Sequence, residues 1–209
     1  MKRLWDISPP ISDQSPVFPG DTPYRQHWKW QLTPECPVNV SEIAMSPHVG
    51  AHADAPLHYA NGAAAIGSVA LEPFLGPCRV IHAIGCGPLI LPEHLAHAID
   101  DLPERILVRT AQHAAVHWWT DDFSAYAPQT IEWLADLGVR LIGIDTPSID
   151  PASSKTLDSH HVILRRDLRV LENLVLDAVE PGDYELIALP LALVQADASP
   201  VRAVLRELG

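Results

Sequence analysis

The sequence predicts an α/β protein: a mixed sheet, partly curled into a barrel, with flanking helices. Strand-type segments outnumber helical ones and are interspersed with them. Twenty prolines and eleven glycines punctuate the 209 residues, as many short elements joined by turns require. The hydrophobic fraction is 47% and the charged fraction 19%, which allows a sizeable core and argues against disorder. At this length the chain reads as one domain, 1–209, with no repeat, low-complexity tract or linker to divide it.

Residues 25–33 (RQHWKWQLT) alternate and read as a strand, as do residues 38–45 (VNVSEIAM). Residues 78–84 (CRVIHAI) are β-branched and strand-like, and 92–99 reads as a short helix with proline at its start. RILVRT at 105–110 is another strand. Pro128 to Leu137 is the clearest helix: Ile131, Leu134 and Leu137 recur at helical spacing and Gly138 supplies the stop. VRLIGI at 139–144 is a buried-type strand ending at Asp145, and YELIAL at 184–189 is another. In the tail, Val201, Val204, Leu205 and Leu208 fall in helical phase, which predicts a helix over 200–208.

A net charge of −12 argues against a nucleic-acid partner, and no basic stripe marks a membrane surface. No apolar run has membrane-spanning length. Met1-Lys2-Arg3 leads to Trp5, Asp6 and Pro9-Pro10 without an apolar h-region, so no signal peptide is read. Three cysteines (Cys36, Cys78, Cys86) without a C-x-x-C pair do not make a disulfide framework, and cytoplasmic residence is the expectation.

The chemistry concentrates in SPHVGAHADAPLHY, which sets His48, His52, Asp54 and His58 among glycine, alanine and proline. His48 and His52 are four apart, as in a zinc-protease helix, but Val49 stands where that motif needs its glutamate. Pro47, Gly50 and Pro56 oppose a regular helix. A loop leading into a short extended segment fits better; there His52 and Asp54 share a face and Gly50 lets His48 fold back beside them. Imidazole and carboxylate suit zinc, manganese or iron, and the two oxygens of Asp54 are able to bridge two ions. A second cluster would complete such a site. His160-His161 is the other dense histidine pair, and Glu172 lies among leucine and valine, where an unneutralised carboxylate is costly. His27, His82, His94, His97, His113 and His117 are read as structural, and Cys78 and Cys86 as buried apolar residues.

HVGAHADAPLH resembles the H-x-G-T-H-x-D-x-P-x-H signature of the metal-dependent cyclase-type hydrolases. LWDISPPI, VFPGDTP, GIDTPSIDP, SSKTLDSHH and LENL extend the resemblance along nearly the whole chain. GIDTPSIDP and SSKTLDSHH favour the branch that hydrolyses N-formyl-L-kynurenine to L-kynurenine and formate in tryptophan degradation. The resemblance implies a swivelling-domain-like α/β fold, a homodimer, and two divalent metal ions, zinc in the first instance with manganese as the alternative. It also implies roles: His48 and His52 on the first ion, Asp54 shared, His160 on the second, and Glu172 touching both. His58 would be the general acid/base beside a dinuclear metal-bound hydroxide, and Phe18 would line the substrate pocket, with Trp28, Trp30, Trp118 and Trp119 as weaker candidates. Ala51 stands where the signature has threonine, and Phe18 where some relatives have tryptophan. The rival readings are a related hydrolase of another aryl or cyclic amide of the isatin type, and a zinc-binding module without catalysis.

Overall fold

The computed structural model describes residues 2–208. Its strands are β1 (Leu4–Asp6), β2 (Arg25–Trp30), β3 (Val40–Ala44), β4 (His52–Asp54), β5 (Leu75–His82), β6 (Leu89–Ile90), β7 (Arg105–Arg109), β8 (Ala125–Tyr126), β9 (Leu141–Ile144), β10 (Arg169–Glu172), β11 (Gly182–Ile187), β12 (Ala198–Pro200) and β13 (Val204–Glu207). The helices are α1 (Pro56–Tyr59), α2 (Pro92–Leu95), α3 (Pro128–Asp136) and α4 (Asp158–Arg165). Nine strands form one mixed sheet in the order β1-β13-β11-β5-β7-β9-β10-β4-β12, parallel at its centre from β5 to β10.

Chain connectivity forces this sheet to curl. β12 and β13 stand seven places apart in the order, about 34 Å if the sheet were flat. Only Val201, Arg202 and Ala203 join them, a span of at most about 14 Å. The two ends of the sheet are therefore brought together into a half-barrel. Ile7 N–H donates to Ala203 O, which extends the β1–β13 pairing, and Val201 N–H donates to Ala51 O, which extends the β12–β4 pairing, so the short connection is pinned at both of its ends.

Both faces of the central strands are buried, which is why they read as unbroken apolar runs. Cys78, Val80, Leu107, Leu141 and Leu171 point into the curl. Ile81, Ile106, Val108, Ile142, Ile144 and Val170 point outward, where Ile131, Leu134, Val162 and Ile163 of α3 and α4 cover them. Gly143 lies at the crowded inner face: a Cβ there would come within 2.4 Å of Leu107 and 2.9 Å of Leu174. Its neighbour in register on β10 is Leu171, the residue before Glu172.

The strands expected at 25–33, 38–45, 78–84, 105–110, 139–144 and 184–189 form with end shifts of a few residues, and α3 matches its prediction. Gly138 stops that helix with φ of +91°. The helix expected over 92–99 is α2 continued by a 3₁₀ turn. The helix predicted over 200–208 is a correction: residues 204–207 are β13, hydrogen-bonded between β1 and β11. Val201, Ala203 and Leu205 are buried in alternation, so the tail satisfies a two-residue period as well as a helical one, and two waiting strand edges decide between them. Cys78 is buried as expected and its thiol is pushed up to about 12 by desolvation, whereas Cys86 is only half-buried.

Gly143→Ala is predicted to destabilise the protein by about 1–3 kcal/mol through overpacking at Leu107 and Leu174. Chemical denaturation measures this; an unchanged midpoint would mean that the inner face has slack.

Candidate metal centre

The site forms where the outward face of the sheet meets α4 and α1. β4 lies between β10 and β12, and its register sets Glu172 directly opposite His52 and Ala198 opposite Asp54. Ala53 points into the curl with the apolar core, so strand alternation turns His52 and Asp54 together to the other face. Glu172 ends β10 on that same face. His160 comes from the first turn of α4, and His48 from the turn before β4, where Gly50 takes φ of +73°.

Asp54 is the hub. His48 Nδ1 lies 3.1 Å and His52 Nε2 3.5 Å from its Oδ1, and His160 Nε2 lies 3.3 Å from its Oδ2. Glu172 Oε2 is 3.2 Å from His52 Nε2, and its Oε1 is 3.6 Å from His160 Nε2. His48, His52 and Asp54 each present a ligand atom within 4.8 Å of the others, and so do Asp54, His160 and Glu172. The five residues named from the sequence as ligands thus converge in two groups that share one carboxylate.

The donor set fits divalent metal. Both Asp54 oxygens, His52 Nε2 and His160 Nε2 are buried without a hydrogen-bond partner, an expensive condition unless a cation occupies the space between them. The far nitrogen of each buried imidazole is engaged. His52 Nδ1–H donates to Gly50 O at 2.9 Å, and His160 Nδ1–H donates to Asp150 Oδ2 at 2.6 Å. Those bonds leave each Nε2 lone pair facing the cluster, the arrangement that outer hydrogen bonds impose on metal-binding histidines. Asp150 also accepts the backbone N–H groups of Ser159 and His160, so one carboxylate caps α4 and orients its histidine.

Electrostatics follow the same geometry. Burial alone would raise Asp54, but His160 and His48 hold it well below the usual carboxylate range. Burial and the Asp54 charge push Glu172 upward, and His160 with His52 reverses this. Burial would pull His48 down, yet Asp54 and Asp197 outweigh it and push its pKa up to about 9.

His58, on α1, stands outside the two ligand groups. Its ring centroid is 4.3 Å from that of His48 and 6.0 Å from that of His160. Asp197 Oδ2 lies 3.1 Å from His58 Nδ1 and 3.0 Å from His48 Nε2, so it ties the two rings together. Neither Asp197 nor Asp150 stands out in the sequence as a site residue. Asp197 lies in a plain stretch, ADASP, and reaches the site only because β12 pairs with β4. Asp150 lies within GIDTPSIDP, whose density of acids and prolines was its only signal.

A cavity of about 350 Å³ opens over the cluster, and Phe18, Trp119, Phe123 and His58 are among the residues that line it. Phe18 is 55% exposed and packs edge-on against Trp119, ring centroids 5.3 Å apart. Of the four tryptophans named as weaker candidates, only Trp119 lines this cavity. Trp118 borders a neighbouring one, and Trp28 and Trp30 lie away on β2. Ala51, in the place of the signature threonine, is packed in the apolar core.

A protonated His48 cannot bind metal, so its raised pKa predicts coupled proton release. In metal-free protein the folded-state pKa of about 9 exceeds the ordinary 6.5. The stability from this group is therefore complete below 6.5 and lost as pH rises through about 9. Titrating zinc into chelator-stripped protein at about pH 7.5 should release protons, and metal affinity should rise with pH up to about 9. Calorimetry in buffers of differing ionisation enthalpy reads this directly; uptake without proton release would mean that His48 is already neutral.

The Cyclase family model matches residues 5–151. The kynurenine formamidase of Bordetella avium (strain 197N) is 91% identical over 209 residues, covering all of both chains. A solved structure described as a potential metal-dependent hydrolase with cyclase activity superposes with a TM-score of 0.85 at 27% identity, again over all of both chains. Isatin hydrolase A from Labrenzia aggregata shares the fold, with a TM-score of 0.79 at 22% identity over 100% of this chain and 94% of that one. By the family model over residues 5–151 and by a relative 91% identical over the full chain, the chain belongs to the Cyclase family.

Proposed function

We propose that the chain, as a single hydrolase domain, hydrolyses N-formyl-L-kynurenine to L-kynurenine and formate. The observation that carries this is the Asp54 carboxylate, buried and shared by two ligand groups at the foot of an aromatic-walled cavity. Support for the substrate comes from relatives called kynurenine formamidase at 91%, 83% and 85% identity. His48, His52 and Asp54 would hold one divalent ion, Asp54 and His160 a second, and Glu172 would touch both. Zinc suits the set of imidazoles and carboxylates, with manganese as the alternative. Bound there, such ions supply Lewis acidity, lowering the pKa of water from roughly 15.7 to about 7 and polarising a carbonyl.

The chain's own residues do the rest. Water adds to the formyl carbon, the C–N bond breaks, and the proton lost by the water ends on the departing aryl nitrogen. His58 carries that proton. Its Nδ1 is tied to Asp197, which leaves Nε2 as the nitrogen for the proton in transit. Phe18 and Trp119 offer their π-faces and edges to the substrate ring. Among the described residues no helix is long and apolar enough to cross a membrane. Three free thiols suit a reducing compartment, which supports placement in the cytoplasm.

A homodimer is part of the proposal. Among the described residues, strands β2 and β3 pair only with each other, and every residue in both is exposed, including Trp28, Trp30 and Ile43. A lone two-stranded ribbon is marginal in water, and its apolar side chains invite cover by a second copy.

Wild-type protein should hydrolyse N-formyl-L-kynurenine in preference to isatin, stop when chelated, and recover with zinc. Preference for isatin, or indifference to chelation, would overturn the reading. His58→Ala should keep its metal and lose about 10²–10⁴ in kcat; near-normal turnover would remove His58 from the reaction. Light scattering should give twice the chain mass, and Trp30→Ser with Ile43→Ser should shift it toward monomer; a wild-type monomer would refute the dimer.

A further inference from the structure

The proposed substrate has two ends. The formamide meets the metal centre, while the other end carries an α-ammonium and an α-carboxylate. We infer that Lys155 is a specificity residue that pairs with that carboxylate, and that Asp21 pairs with the ammonium. This rests on the reading of the site as a formylkynurenine hydrolase.

Charge makes the assignment. Lys155 is the one lysine or arginine among the residues lining the cavity over the cluster, in a chain of net charge −12. Glu172 would be taken up by metal and Asp197 is engaged by His48 and His58, so neither pairs with Lys155, whose ammonium is left to receive an entering carboxylate. Among the described residues no carboxylate lies within 4.0 Å of the Lys155 ammonium, so the charge is free to receive one. Asp21 is the other charged lining residue outside the ligand cluster, and its side chain is met only by the adjacent backbone N–H of Thr22.

Geometry ties both residues to the reacting end. Lys155 lies between Asp150, which grips His160, and His160 itself. Two turns stiffen this short segment: Ser154 N–H donates to Pro151 O at 2.8 Å, and Leu157 N–H donates to Ser154 Oγ at 3.0 Å. Leu157 then enters α4 with φ of +51°. A lysine held this way has its reach measured from a metal-facing histidine. Asp21 belongs to the turn that also carries Phe18: Asp21 N–H donates to Phe18 O at 2.9 Å, and Gly20 takes φ of +94°. The residue that stacks on the ring and the residue that receives the ammonium are thus set by one turn. An α-amino-acid zwitterion matches this pair of opposite charges, and neutral aryl amides leave both unused.

The test compares N-formyl-L-kynurenine with 2′-formamidoacetophenone, which keeps the ring, ketone and formamide but lacks the amino-acid end. Metal content is measured on every variant. Lys155→Met should lose about 10- to 100-fold in kcat/KM on the full substrate, carried by KM, and less than about twofold on the truncated ketone. Asp21→Asn should show the same pattern at about 3- to 10-fold. Equal losses on both substrates would make Lys155 a structural or catalytic group and overturn the assignment. No loss on either, or a wild type that treats the two substrates alike, would overturn it while leaving the proposed reaction standing. A wild type that hydrolyses neither would sink the reaction itself, and the assignment with it.

Discussion

One buried carboxylate organises this molecule. Asp54 lies almost wholly out of solvent with neither oxygen hydrogen-bonded, and three imidazoles converge on it. A bare carboxylate in that position costs several kcal/mol unless positive charge compensates it. Asp54 and its neighbouring carboxylates raise the pKa values of His48 and His160, which favours imidazolium beside it, and a bound divalent metal would supply the charge more fully. That requirement explains why β4, only three residues long, lies between two other strands: Asp54 has to be held rigidly, on the outward face, with Glu172 opposite its neighbour His52.

Around that hub, secondary contacts do the aiming. Gly50 O fixes the tautomer of His52, and Asp150 fixes that of His160 while capping the helix that carries it. Asp197 joins His48 to His58. Three different acceptors, drawn from three separate stretches of chain, thus decide which nitrogen of each ring faces the cavity. The local sequence HVGAHADAPLH provides three of the four rings and the Gly50 carbonyl that orients His52, while Asp150 and Asp197 come from elsewhere in the chain.

The curl of the sheet is what lets these stretches meet. With only three residues between β12 and β13, the sheet ends must close on each other. Pairing of β12 with β4 at one of those ends sets Asp197, just before β12, against the turn that holds His48. Gly143 keeps the interior of the curl narrow enough for Leu107, Leu171 and Leu174 to fill it. Packing inside the curl and chemistry on its outer face are thereby coupled through β10, whose residues alternate between the two.

Legible in the sequence by itself were the α/β class, most strands, α3, the family and the five residues that converge in the cluster. Those properties are local: hydrophobic period, turn chemistry and the tight spacing of His48, His52 and Asp54 are all written within short windows. The tail was misjudged because Val201, Val204, Leu205 and Leu208 satisfy the helical period and the strand period alike, and only the open edges of β1 and β11 chose the strand. Only the tertiary structure places Asp150 and Asp197 against the cluster's imidazoles and Asp21 and Lys155 on the cavity wall. Each is an ordinary charged residue in its own stretch. It gains meaning from strand pairing and turn geometry across long separations, which no local period encodes.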